Sequence, residues 1–452
     1  MAQRCISSSL MLVTLLAASS SAFFSPSLHH LTTTSTTSTS QLSNALISTS
    51  ESSPRDTSPL FDWSQNYGIQ LSDSLQLSSS SDTTPTNNNA ANDIYATSTQ
   101  HIPQSTPLLS IPSSLILTGA NARNELSEQT YGAEQQSLPL SEHQPFYLFL
   151  KIISEYSQGE HSPYYYWLNS LPRYYENGAS MTDFCFGCLP PYAAGLALKE
   201  KQRLKRYIEV VNGDSMQWGV DEDVLQWAYN VVFTRYVDLP GGDVGLVPMV
   251  DYLNHGVEAN VDVTYDDEGN CHVYTNREVG MNEPLVISYG DSTNPSSLLA
   301  RYGFLEESCA ATFCKYVVEE PTGEMFDLGY PNSMYFYNDG SISNEVWDVL
   351  LYEMLKVSPD EQQQFYQACM SGDEDTKGMF HNQYMQQTFR AMGSHVDYIL
   401  NELEELGIGL ETQIAQGQDK RRHPRLPLIQ RHNEFVKVTF DNVRLNLDNM
   451  LA

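Results

Sequence analysis

The chain has 452 residues, 41% hydrophobic and 11% aromatic, which is enough to bury more than one core and excludes a wholly disordered protein. Fifty-five acidic against 24 basic side chains give a formal net charge of -31; such a field repels phosphate backbones, which argues against nucleic acid as a partner, and either attracts Lys-rich proteins or simply maintains solubility. Seven cysteines are too few for a disulfide scaffold at this length and fit a reducing compartment. Cys185 with Cys188 and Cys309 with Cys314 read as packed thiols rather than as four zinc ligands.

In chain order, Arg4 and the apolar run Leu10 to Ala18, followed by small residues up to Ala22, have the form of a secretory signal over residues 1–22. Residues 23–56 are Ser/Thr-rich, and up to residue 50 contain no acid, the composition of a transit peptide. The junction Ser21-Ala22-Phe23-Phe24 resembles the cleavage motif of algae with secondary plastids. The expected address is therefore a plastid reached by a bipartite leader, the alternative being plain secretion. Arg4 and Arg55 balance Glu51 and Asp56, so the acidic excess belongs to the rest of the chain.

Ser78 to Asn92 is a polar loop, with strands expected at Ile94–Thr97, Pro107–Ile111 and Leu115–Thr118. Apolar residues at helical spacing predict helices over Glu142–Tyr156 and Lys199–Val211 within a mostly helical middle block. Val261–Tyr265 and Cys271–Tyr274, separated by Asp-Asp-Glu-Gly-Asn, predict a hairpin, and Leu285–Tyr289 a further strand. From Asn344 the pattern is helical, with candidates at Val346–Leu355, Glu361–Cys369, Tyr384–Leu406 and Leu428–Leu447; Lys420-Arg421-Arg422-His423 reads as a solvated loop. No hydrophobic segment after the leader is long enough to span a membrane.

Between Gly245 and Phe304 stand Leu246-Val247-Pro248-Met249-Val250-Asp251-Tyr252-Leu253-Asn254-His255, then Ile287-Ser288-Tyr289-Gly290, Asn294, Leu298-Leu299 and Arg301-Tyr302-Gly303-Phe304. These resemble the LVPxxDxxNH and YGxxSNxxLLxxYGF motifs of the SET-domain branch typified by the Rubisco large-subunit methyltransferase. Upstream, Tyr165-Tyr166-Trp167-Leu168-Asn169-Ser170-Leu171-Pro172 resembles the aromatic segment of the helical insertion that splits that family's SET domain. The resemblance implies an α+β fold: small SET-type sheets with a knot-like C-terminal segment, a helical insertion at about residues 120–230, and an all-α substrate-binding domain. The implied domains are SET over 57–310 and helical over 311–452.

By the same resemblance the chain is an S-adenosyl-L-methionine-dependent protein-lysine N-methyltransferase, read as a monomer, whose substrate is another protein. Family precedent points to the Rubisco large subunit or plastid aldolase. Tyr289 matches the catalytic tyrosine, and Tyr302 a second wall of the acceptor channel. Arg235 matches the arginine that pairs with the cofactor carboxylate, Asn254 the residue at its amino-acid end, and the His255 backbone the contact to adenine. Methyl transfer from a sulfonium needs a neutral amine, alignment and exclusion of water, which uncharged polar side chains provide. His255 has no partner at ligand spacing, so no metal is expected.

Val237, two residues after Arg235, is apolar where a histidine-methylating branch of the family carries a polar residue, which favours lysine over histidine. Ala91 and Asp93 stand where the family has glycines that let the backbone approach the cofactor, and an added Cβ or carboxylate there is expected to weaken cofactor binding. A non-catalytic SET-like protein-binding module is the reading that this departure favours.

Overall fold

Short apolar runs broken by Gly, Pro and Asn make short strands, and the computed structural model shows five small sheets among its described residues rather than one large one. Those residues are 48–51, 55–79, 93–126, 138–213, 219–290, 295–309, 311–312, 321–331 and 333–451, all within one compact unit, Asn44–Ala452. The signal, most of the transit-like segment, residues 80–92 with Ala91, and Asn294 lie outside them.

Helix α1 (Leu60–Asn66) leads to β1 (Gln70–Leu71), then β2 (Leu75–Ser79) pairs antiparallel with β3 (Ile94–Ser98). Next come β4 (Pro107–Ile111) and β5 (Leu117–Thr118); the expected strand at 115–118 is shortened by a 3-10 turn over Ser113–Leu115. The helices α2 (Gly119–Leu126), α3 (His143–Gln158), α4 (Tyr165–Ser170), α5 (Asp183–Gly187), α6 (Pro191–Gly213) and α7 (Glu222–Arg235) follow. The chain then forms β6 (Val237–Leu239) and β7 (Asp243–Leu246), and β7 pairs with β5, Leu117 opposite Leu246. The helices are thus inserted between two hydrogen-bonded strands of one sheet.

Helix α3 holds the insertion together because it is apolar nearly all round. Phe146, Leu148, Phe149, Leu150, Ile152 and Ile153 are fully buried, and Phe146 meets Tyr207 of α6 edge-on at 5.0 Å. The aromatic segment that forms α4 is pinned at its end by Arg173, whose guanidinium donates to the carbonyls of Leu168, Asn169 and Leu171.

Two short strands after the insertion carry the site: β8 (Asn254–His255), and later β11 (Val286–Ile287). Between them β9 (Val261–Tyr265) and β10 (Cys271–Thr275) form the expected hairpin. Asp266 closes its turn by accepting from the backbone N–H of Glu268 and Asn270 at 3.1 and 2.8 Å. The hairpin joins β4 and β1 in the order β1-β4-β10-β9. Strand β11 then returns to lie parallel to β8, Val286 beside Asn254 and Ile287 beside His255.

Helix α8 (Pro295–Tyr302) precedes β12 (Ala311–Thr312), α9 (Gly323–Asp327), β13 (Phe336–Tyr337) and the helices α10 (Asn344–Met354), α11 (Pro359–Ser371), α12 (Glu374–Ala415) and α13 (Leu426–Leu451). Phe365, Phe380, Met392 and Val396 bury a second core against Val436, Phe440 and Val443. Helix α12 runs well beyond the periodic stretch Tyr384–Leu406 at both ends, where Gly378, Gly407 and Gly409 weaken the local helix signal but Phe380 and Leu410 are buried; Asp373 caps its start, accepting from the Thr376 N–H at 3.1 Å. Cys185 and Cys188 are buried free thiols in a third apolar cluster with Leu299, Leu428 and Ile429. In the loop before α13, Lys420, Arg421 and Arg422 are exposed, but His423 is turned inward and stacks on Phe184 at 3.9 Å, so the basic run is not wholly solvated. Among the described residues no helix is long and apolar enough to cross a membrane.

Gly303 ends α8 with φ 82°, and its N–H bonds back to the Leu298 and Leu299 carbonyls. A Cβ there would lie 2.6 Å from the Asn177 backbone nitrogen. Gly303→Ala therefore lowers stability by more than about 1 kcal/mol in urea unfolding, since both φ and space are wrong for alanine. Gly187→Ala, which meets nothing within 4 Å, serves as the control that stays within about 0.5 kcal/mol.

Candidate active site

A cavity of about 830 Å³ opens where the end of α7, the strand β8, residues 287–290, the end of α8 and the segment 172–176 converge. Arg235, Asn254, His255, Tyr289 and Tyr302 all line it, together with Val237, Phe304 and Asp93. Five residues spread over 68 positions of sequence are brought together, and the parallel β8/β11 pair is what sets Tyr289 beside Leu253 and His255.

At its base lies a buried ion pair. Arg235, the last residue of α7, donates from Nη1 to the Asp251 carbonyl at 2.6 Å and to Asp251 Oδ2 at 3.1 Å. The indole of Trp167 donates to the same oxygen at 3.1 Å. The Arg235 side chain is 12% exposed and that of Asp251 1%, so this is not a surface salt bridge. Burial opposes the charge on Arg235, but Asp251 and the tyrosines around it outweigh that and hold its pKa above the usual range. For Asp251, burial pushes the carboxyl up while Arg235 and Trp167 pull it back.

Tyr289 is fixed at both ends. Its backbone N–H donates to His255 Nδ1 at 3.1 Å, and its hydroxyl donates to the Leu253 carbonyl at 2.8 Å. Accepting at Nδ1 places the proton of a neutral His255 on Nε2, and burial lowers the imidazole pKa, with Glu306 opposing. Burial likewise raises the Tyr289 hydroxyl, against the pull of Arg235, so it stays protonated at neutral pH. With its proton committed to Leu253, the hydroxyl has only its oxygen lone pairs to offer. The rings of Tyr289 and Tyr302 lie 5.0 Å apart and those of Tyr302 and Phe304 6.1 Å, an aromatic wall on one side of the cavity. Arg301 sits over Tyr302 at 5.1 Å and over Tyr236 at 4.8 Å, and its Nε donates to the Phe233 carbonyl.

Asn254 donates to Asp93 Oδ2 at 3.2 Å, so the carboxylate that departs from the resembled glycine stands inside the cavity. Sequence reasoning missed Asp251, although it lies in the quoted motif; an Asp three residues before the Asn-His pair, in an otherwise apolar run, is a signal that could have been weighed. It also missed Arg55 and Glu176. Arg55 falls in the segment expected to be a transit peptide, yet its Nε donates to the Ser170 carbonyl at 2.7 Å, it lines the cavity, and nearby Glu51 pairs with Arg425. These residues belong to the folded body. Burial lowers the pKa of Arg55, and the Arg235 guanidinium adds to that, so two like charges share this wall. Glu176 is pushed up to about 7 by burial, against Arg425 and Arg431.

Residues 94–290 match the family model described as the SET domain. The chain contains a SET domain. Over 163 residues it is 23% identical to SET domain-containing protein 8 of Schizosaccharomyces pombe, a match spanning 34% of this chain and only 37% of that protein. In structure the chain is similar to the SET domain of LSMT bound to lysine and AdoHcy, with a TM-score of 0.60 at 13% identity, covering 87% of this chain and 91% of that one. It is similar as well to Rubisco LSMT bound to AdoMet, with a TM-score of 0.58 at 14% identity, covering 87% and 92%. At these identities the likeness establishes the fold: a SET domain of small sheets, its helical insertion, and a helical C-terminal region.

Within this SET domain the Arg235–Asp251 pair is the stability-critical part of the site. Asp251→Ala strands a buried guanidinium and costs about 3–5 kcal/mol, read by urea unfolding. The double variant Arg235→Met/Asp251→Leu recovers a large part of that loss, because no charge is then left without its partner.

Proposed function

We propose that the chain is an S-adenosylmethionine-dependent protein-lysine N-methyltransferase. The observation that carries the reading is Tyr289: a protonated, buried hydroxyl locked to the Leu253 carbonyl, presenting lone pairs into a cavity with guanidiniums at one side and aromatic rings at another. The cavity suits S-adenosylmethionine in size and charge. Its volume falls among small-molecule sites, and the adjacent guanidiniums of Arg55 and Arg235 favour an anion such as the cofactor carboxylate. That structurally similar proteins are bound to AdoMet, AdoHcy and lysine supports the same reading.

When bound, the cofactor supplies an electrophilic methyl carbon on a sulfonium. A neutral lysine amine directs its lone pair at that carbon; the C–N bond forms as the C–S electron pair returns to sulfur, leaving S-adenosylhomocysteine, and the methylated nitrogen sheds its extra proton to water. Tyr289 accepts an N–H of the incoming amine and fixes its lone pair in line. Tyr302 and Phe304 line the acceptor channel and exclude water. Val237 gives the wall an apolar side chain that suits an aliphatic lysine stem rather than an imidazole.

We further infer that the substrate is a plastid protein, with the Rubisco large subunit and plastid aldolase the first to test. The acidic chain favours a basic docking surface. Because Glu51 and Arg55 pack on the folded body, processing of the leader falls upstream of residue 51. Tritiated-methyl transfer into a plastid extract, with identification of the labelled lysine, tests the substrate. Fusion of residues 1–50 to a fluorescent protein tests the address; the same location after Phe23→Asp defeats it.

Tyr289→Phe keeps the ring and removes the hydroxyl. Single-turnover methyl transfer falls by about 10²-fold or more with cofactor affinity nearly unchanged. Asn254→Ala shows the opposite pattern, weakening S-adenosylmethionine binding by about 1–3 kcal/mol in calorimetry. A stably folded Tyr289→Phe enzyme with wild-type turnover overturns the mechanism.

A further inference from the structure

The carboxylate of Asp93 stands where it would first be expected to do harm. It lines the cavity, is exposed rather than packed away, and accepts a hydrogen bond from Asn254 Nδ2 at 3.2 Å. It is also near enough to both Arg55 and Tyr289 to act on them electrostatically. Of the other carboxylates lining this cavity, Asp251 is committed to Arg235 and Trp167, Glu51 pairs with Arg425, and Glu176 lies beside Arg425 and Arg431.

A free amino-acid end of a ligand is a zwitterion, carrying an anion and a cation on one carbon atom. A site that offers it only guanidiniums satisfies the carboxylate and repels the ammonium; a site that also offers a carboxylate within a few ångströms satisfies both. Arg235 is balanced by Asp251, so Arg55 beside it leads the cationic half of such a site, and Asp93 lies within electrostatic reach of Arg55 with Asn254 fixing its direction. We propose that Asp93 receives the α-ammonium of the S-adenosylmethionine amino-acid moiety, making it a specificity residue for the intact amino-acid end. This rests on the cofactor reading above and turns the departure at this position from a defect into a ligand.

The charge of Asp93 separates cleanly from its hydrogen bond. In Asp93→Asn the new amide oxygen still accepts from Asn254, so the local structure is kept while the anion is lost. The probes are S-adenosylhomocysteine and its analogue lacking the α-amino group, 5′-S-(3-carboxypropyl)-5′-thioadenosine, titrated by calorimetry into the full-length protein. The wild type binds S-adenosylhomocysteine more tightly than the deaminated analogue by about tenfold or more, and Asp93→Asn loses about that factor for S-adenosylhomocysteine but little for the analogue. Raising the salt concentration narrows the wild-type preference and leaves that of the variant unchanged. An Asp93→Asn protein that retains full affinity for S-adenosylhomocysteine overturns the proposal while the methyltransferase reading stands. Equal weakening toward both probes also overturns it, since that marks a structural role through Asn254. A wild type that binds neither probe overturns both readings.

Discussion

The site depends on one buried interaction, the Arg235–Asp251 pair. Three remote pieces of chain meet there: the end of α7, the motif leading into β8, and Trp167 from the inserted helices. Two charges removed from water are stable only with close mutual contact and their remaining bonding capacity met, and the Asp251 backbone carbonyl and the Trp167 indole supply part of that. The insertion is therefore more than an appendage between β5 and β7. By holding Asp251 it fixes the floor under Leu253, and through the Leu253 carbonyl it fixes the hydroxyl of Tyr289.

The second constraint is topological. Strands β8 and β11 are only two residues long, yet their parallel pairing joins segments some thirty positions apart and places the tyrosine over the Asn-His pair. Parallel strands cannot be joined by a tight turn, and here the connection is the β9–β10 hairpin, which is itself tied into the four-stranded sheet. The hydroxyl geometry is thus held by well-packed elements on both sides, as a site that works by alignment requires.

Electrostatically the cavity is mixed, whereas the chain as a whole is strongly acidic. Guanidiniums at Arg55, Arg173 and Arg235 gather at one side, although basic residues are scarce in the sequence. Burial works against each of these charges, and protein acceptors offset it: Arg173 donates to backbone carbonyls, Arg55 to the Ser170 carbonyl and Arg235 to Asp251. Asp93 complements them with a negative charge at the cavity edge.

The sequence by itself determined the elements whose signals are local. Periodicity marks α3 and the helical tail, the turn residues at 266–270 mark the hairpin, and the two motifs around Asn254 and Tyr289 mark the SET domain and its five lining residues. It also showed that residue 93 is an acid where the resembled motif has glycine. The tertiary structure decided which groups surround that acid, setting it beside Asn254 and within electrostatic reach of Arg55, both of which come from distant positions along the chain. It likewise decided that Arg55 packs on the folded body against the Ser170 carbonyl, and that Asp251 is the partner of Arg235. A local composition or spacing carries information about backbone conformation, but pairing between distant charges is fixed only when the fold removes them from water and leaves each the other's nearest partner.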